Sequence, residues 1–440
     1  MKNSHQKFAC ILVLLLVPLI SNAATIVVDV DTDGTGSASD CELRDAIKAA
    51  NMDTEVDGCD FGNGADRIEF DIAGISILLN ATLPEITQAV EIIGPGVEQL
   101  MIDGDDSYQI FNANLEGSLT IRGLTLFQGL ASGGGCLDAN VDTLVLEDMR
   151  IDSCTSNAAP GGGVDISTSG TGDEAHIRRV TFYNNRSSQN GGAMRLNANI
   201  ATIEDCLFYQ NKADEISRRG GAIAIGIASN VTIRRSTFWK NSARRSGSAI
   251  VLYNASGNVT LEHNTFSQNN VNGTGPSDVG GAIANTGTLT MFNNVVAGNT
   301  EQHLTFNVAD INNDIGVALV TQGYNLIGSN EGSAAVFPTG LQANKDRAGT
   351  QASPLDAKLG PLADNGGPTG SSLPQPGSPL LDQGSCPGET RDQRGYSNDL
   401  NGLRPVPVPG VTAADDGCDT GATEYLAAPP GFIFSGGFED

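Results

Sequence analysis

An all-β solenoid, built as a parallel β-helix with a short N-terminal capping helix, is the fold this sequence predicts. Two observations carry it. A strand-like core recurs about every 25 to 31 residues, and its apolar positions fall into register from one copy to the next. VTIRRSTFWKN (231–241) has near twins in VTLEHNTFSQN (259–269), ATIEDCLFYQN (201–211), AHIRRVTFYNN (175–185) and LTMFNNVVAGN (289–299). LVLEDMRIDSC (144–154) and LTIRGLTLFQG (119–129) extend the series toward the N-terminus.

The cores are rich in Val, Ile, Thr and Phe and are separated by Gly-rich returns such as GGAMRL (191–196) and GGAIAI (220–225), so they are strands and turns. The third position reads Ile121, Leu146, Ile177, Ile203, Ile233, Leu261, Met291. The eighth reads Leu126, Ile151, Phe182, Phe208, Phe238, Phe266, Val296. Both are continuous apolar columns. Three and eight differ in parity, so one straight strand cannot point both inward, and each coil must bend near its fourth and fifth positions. Asn185, Asn211, Asn241, Asn269 and Asn299 hold the eleventh position. Asparagine tolerates a left-handed turn, and its amides can bond from coil to coil.

The bend carries charge. Position four reads Arg122, Glu147, Arg178, Glu204, Arg234, Glu262, and position five Gly123, Asp148, Arg179, Asp205, Arg235, His263. With coils about 4.8 Å apart, signs alternate along both columns, so Arg234 and Arg235 are expected to be part of a structural ladder. Arg186, Arg195, Arg218, Arg219, Arg244 and Arg245 lie in the returns and lack such partners in the sequence pattern. They are the candidate contacts for an anionic polysaccharide or a host or cell-surface molecule.

The ends differ from the middle. SDCELRDAIKAAN (39–51) places Leu43, Ala46, Ile47 and Ala50 on one helical face, with Ser39 and Glu42 at capping-box spacing, and predicts the cap helix. Before it, Asp29, Asp31 and Asp33 precede Gly34 with the spacing of a calcium loop, and Asp40 stands at the twelfth position. A structural calcium is the one cofactor this suggests; an ordinary acidic turn is the competing reading. Lys2 and Lys7, the apolar run Phe8–Ile20 and Ser21-Asn22-Ala23 predict a secretory signal peptide over 1–23, and no later stretch predicts a membrane-spanning helix.

Cleavage would take the formal charge from −26 to about −28, which argues against nucleic-acid binding. Export permits disulfides, and proximity in sequence suggests Cys41–Cys59, Cys136–Cys154 and Cys386–Cys418. Cys206 is left as a buried thiol at the sixth core position. The lone Trp239 follows inward Phe238 and is expected to face outward.

CELRDAIKAAN (41–51) resembles the signature of CSLREA-domain proteins, the GGAI/NN coils resemble polymorphic outer-membrane-protein repeats, and LGPLADNGGPT (359–369), DQRG (392–395) and CDTGATE (418–424) resemble the choice-of-anchor Q region. The final IFSGGFE is similar to the endings of some exported proteobacterial proteins. The resemblance implies a right-handed parallel β-helix, exported to the extracellular space, cell surface or outer membrane of a bacterium, with no defined reaction. The β-barrel that ends polymorphic outer-membrane proteins has no counterpart in the sequence. The expected organisation is a signal peptide (1–23), a cap (24–60), coils (61–323), an anchor-Q-like region (324–426) forming irregular final coils, and a tail or sorting signal (427–440).

Function divides two ways. The favoured reading is a non-catalytic surface or secreted β-helix in adhesion or glycan contact. The alternative is a polysaccharide lyase or hydrolase acting on an acidic glycan, because the pectin-lyase-like solenoid also hosts enzymes. No catalytic residue is assigned. Asp105 and Asp106 lack companions, and His176, His263 and His303 have no acid–base context.

Overall fold

A computed structural model describes residues 23–425, except 35, 73, 169, 171, 214, 216–217, 228–229, 254–256, 274–279, 302–309, 314–317, 396–403 and 405. The expected signal peptide, but for Ala23, and the C-terminal tail lie outside the described residues. The chain winds into a parallel β-solenoid of about eight turns, with a single short helix among the described residues.

One coil shows the plan. Strand Asn230–Arg234 runs to a corner at Arg235, strand Thr237–Trp239 to a second corner at Lys240, and strand Ser242–Ala243 into a loop. Ile250–Leu252 then leads back to the next coil at Asn258. Successive coils pair in parallel and in register: Ile203 with Ile233, Ile233 with Leu261, Phe208 with Phe238, Phe238 with Phe266. Both predicted columns are fully buried. The phenylalanine rings stack face to face, with centroids 4.5–4.7 Å apart from Phe182 to Phe266.

Parity is resolved by left-handed residues. Asp148, Arg179, Asp205, Arg235, His263, Asn293 and Tyr324 all have φ between 47° and 60° at the first corner, where Gly123 precedes them. The second corner repeats this at Gln128, Ser153, Asn184, Gln210, Lys240 and Gln268. Here the structure corrects the sequence reading: the left-handed residue stands one place before the asparagine, not at it. The asparagine side chain secures the turn. Asn241 Nδ2 donates to Phe208 O (2.8 Å) and to Asn269 Oδ1 (2.9 Å), while its Oδ1 accepts from Asn211 Nδ2. The run continues from Asn185 to Asn299, and Asn299 Nδ2 then donates to Asp310. A second ladder, Asn264–Asn294–Asn325, closes on Asp346 at the first corner.

At the N-terminal end, helix Leu43–Met52 packs its buried face (Leu43, Ala46, Ile47, Ala50) against strands Thr25–Val28 and Asp66–Phe70. Its capping box does not form. Glu42 is the cap residue, but its carboxylate accepts from Thr32 Oγ1 and from the backbone N–H groups of Gly34 and Gly36. Cys41–Cys59, Cys136–Cys154 and Cys386–Cys418 are disulfides, and Cys206 is free and buried.

The C-terminal region does not become a stack of final coils. After strands Leu326–Ile327 and Arg347–Ala348 the chain turns back as an arm along the outside of the solenoid. The reason lies in the outward positions of the strand between the two corners. Leu207, Trp239, Val295 and Leu326 point away from the interior and are apolar, so they need a cover. Leu362 packs on Leu207, Tyr209 and Trp239; Ala357 and Leu380 pack on Val295 and Leu326. Trp239 does leave the coil outward, yet it is only 3% exposed.

Candidate functional site

The charged bend is architecture. Arg179 bonds Glu147 (2.6 Å) and Asp148 (2.7 Å), and Arg235 bonds Glu204 (2.6 Å) and Asp205 (2.8 Å) in the coil before it. Arg178 and Arg234 repeat the contact at 2.7 and 2.9 Å. The arm adds Glu389, 2.9 Å from Arg235. Burial of His263, together with Arg404, holds its imidazole well below its ordinary pKa, so this rung of the ladder is neutral.

The six return arginines are spread over three places. Arg186 stands on an outward strand whose next-coil partner is Lys212. Arg195 lies in strand Met194–Asn197 and pairs with the buried Asp165. Arg218, Arg219, Arg244 and Arg245 occupy the return loops, where Arg245 N donates to Arg218 O on the adjacent coil. Around Arg195, burial outweighs the guanidinium and pushes the Asp165 carboxyl up to about 7, with Asp138 on the preceding coil adding to the rise.

The four aspartates with calcium-loop spacing do not converge. Asp29 Oδ1 accepts from Cys41 N (2.8 Å), Asp33 grips Arg44 at 2.9 Å, and Asp40 closes its own turn with Ser37 N. Asp31 does not group with them. Among the described residues, the one group of potential ligand atoms close enough for an ion is Cys386, Asp416 and Cys418, whose sulfurs are already joined as a disulfide. Asp29 and Asp40 are engaged by backbone N–H groups and Asp33 by Arg44, so the four do not form one donor set for calcium.

A groove that sequence reasoning missed lies where the arm stops. The outward face covered by Leu362 over Tyr209 and Trp239 is open in the preceding coils. Two clefts, of about 230 and 460 Å³, share Val97, Glu98 and Arg150. Their floor is made by Met101, Thr125, Phe127, Arg150, Asp152 and Thr181, and the tip of the arm, Asp364 to Gly370, forms the far rim. Arg150 Nη2 pairs with Asp152 at 2.7 Å, and its guanidinium lies 5.2 Å from the centre of the Tyr183 ring. Tyr183 stacks on Tyr209 at 5.2 Å and is half-buried, the last ring of that column before the opening. The signal was available in the ninth-position series Phe127, Asp152, Tyr183, Tyr209, Trp239, an outward column unusually rich in aromatic rings for this chain.

Fold and groove together define a parallel β-solenoid with clefts along one side wall. Residues 101–331 match the family model described as right handed beta helix region, and the chain belongs to that family. No curated protein matches the chain.

Proposed function

We propose that this is an exported or cell-surface β-helix protein that contacts glycans without turning them over. The open groove with its Phe127–Arg150–Asp152 constellation is the observation that carries this reading. It offers the Phe127 ring and fixed polar groups side by side, and its arginine and aspartate are already satisfied by one another, as suits recognition better than catalysis. Three disulfides accord with an oxidising compartment. The CSLREA and anchor-Q resemblance supports a surface location. Incubating the secreted chain with a polysaccharide panel should deplete it onto glycan with no new reducing ends and no unsaturated product. Product release would sink the non-catalytic part of the proposal.

One observation favours the second reading, an acidic-glycan hydrolase or lyase. Asp138 and Asp165 are neighbours on adjacent coils, and the Asp165 carboxyl titrates near neutrality, as a general acid must. Asp165 is only 3% exposed, so substrate would reach it only after the surrounding returns opened. Under this reading Asp165→Asn abolishes any product formed.

A further inference from the structure

We infer that the groove takes a neutral polysaccharide chain, and not the acidic one that the return arginines suggest; the inference rests on the glycan-contact reading above. Its charge decides the matter. The two clefts are lined by two arginines, Arg150 and Arg179, against four carboxylates, Glu98, Asp148, Asp152 and Asp364. Both arginines are held by carboxylates of the solenoid, Arg150 by Asp152 and Arg179 by Glu147 and Asp148. Glu98 and Asp364 are exposed on the two rims. A polyuronate would meet an excess of like charge, on a chain whose net charge is −26.

A neutral chain meets no such penalty. Its hydroxyl groups can donate to Asp152 and Glu98 and accept from Arg150, while the C–H face of a ring lies on Phe127, which lines the first cleft. The groove crosses four successive coils, from Met101 through Thr125–Phe127 and Arg150–Asp152 to Thr181. That is three inter-coil steps, about 14 Å, which holds a short run of sugars. A peptide strand fits worse. The backbone groups of these coils are already paired within the stack, so the face has no free sheet edge to extend.

The test is affinity electrophoresis of the secreted chain through gels holding either hydroxyethyl cellulose and xyloglucan or polygalacturonate and alginate. Retardation by a neutral gel is expected, weakened at least tenfold by Phe127→Ala and by Arg150→Ala. Glu98→Trp, at an exposed rim where folding is not at stake, should also block it. The far-ultraviolet circular dichroism of each variant serves as the fold check. Retardation by acidic gels alone would overturn this inference and leave glycan contact standing. Retardation by neither would overturn both. Neutral retardation untouched by all three substitutions would place the binding elsewhere and overturn the assignment to this groove.

Discussion

Arg404 Nη1 donates to His263 Nδ1 across 2.6 Å, joining the arm to the corner of a coil 141 residues earlier in the chain. The same guanidinium pairs with Glu424 at 2.8 Å, and both side chains are fully buried. Arg394 and Asp392 form a second buried pair, and Gln393 donates to Cys206 O while accepting from Thr237 Oγ1. The DQRG and CDTGATE segments thus clasp the arm to the solenoid. A buried network of this kind is costly when half broken.

The clasp has a built-in reporter. Trp239 is the only tryptophan, and it lies under Leu362 of the arm. Arg404→Ala should cost about 3 kcal/mol, the lower part of the range for breaking a buried pair, because Glu424 is already driven toward its neutral form by burial. Loosening of the arm should shift Trp239 emission to the red at denaturant concentrations where the far-ultraviolet β-sheet signal is unchanged. Coincident loss of both signals would show that arm and solenoid unfold as one unit.

The neighbouring arginines of the bend should behave differently from each other. Arg235 is buried among Glu204, Asp205 and Glu389, so Arg235→Ala strips the buried Asp205 of its cation, leaves Glu204 and Glu389 to Arg234 alone, and should cost about 3–5 kcal/mol. The Arg178 side chain is 42% exposed, and its truncation should cost under about 1 kcal/mol and vanish in high salt. Urea titrations at low and high salt separate the two. Equal costs would mean that the ladder does not distinguish its inner column from its outer one.

Much of this was legible because a solenoid repeats its constraints. Ile233 or Phe238 alone says little, but seven aligned copies leave one arrangement that buries them all, and the alternating signs beside them set the register. The first corner's ladder was hidden because Asn264, Asn294 and Asn325 succeed Cys206 and Ser236 in the same column, so its polar character starts midway. The arm was illegible for another reason. Leu362 and Trp239 are 123 residues apart, and no periodicity links an irregular segment to the face it covers. The groove inherits that difficulty, since one rim belongs to the arm.

The asparagine ladder invites a direct test. Asn241 takes part in four side-chain hydrogen bonds in a fully buried setting, to Asn211 N and Nδ2, Phe208 O and Asn269 Oδ1. Asn241→Ala strands the Asn211 amide and the Phe208 carbonyl and should cost about 3 kcal/mol, from two or more unsatisfied groups at about 1–3 kcal/mol each. Asn241→Asp keeps the shape and the acceptor while placing a carboxylate against Phe208 O, so it should be worse at neutral pH and recover on acidification. Identical stability for the two at every pH would remove hydrogen bonding as the ladder's contribution.

The last prediction concerns pH. Asp310 ends the ladder, accepting from Asn299 Nδ2 and Ser329 N, with no cation among the groups that move its pKa. Complete burial outweighs these donors and pushes its carboxyl up to about 7. The folded chain therefore binds this proton more tightly than the unfolded chain. The stabilisation is whole below the ordinary carboxyl range near pH 4 and is lost as pH rises through about 7, a change of order 4 kcal/mol. Asp165, also raised to about 7, acts in the same direction. Unfolding free energy should fall between about pH 4 and 7, and Asp310→Asn, which carries no titrating proton, should flatten part of that slope. The variant should then equal or exceed the parent in stability above pH 7 while gaining nothing at pH 5. An unchanged slope in Asp310→Asn would show that Asp310 stays ionised in the fold, held by its two donors in spite of burial.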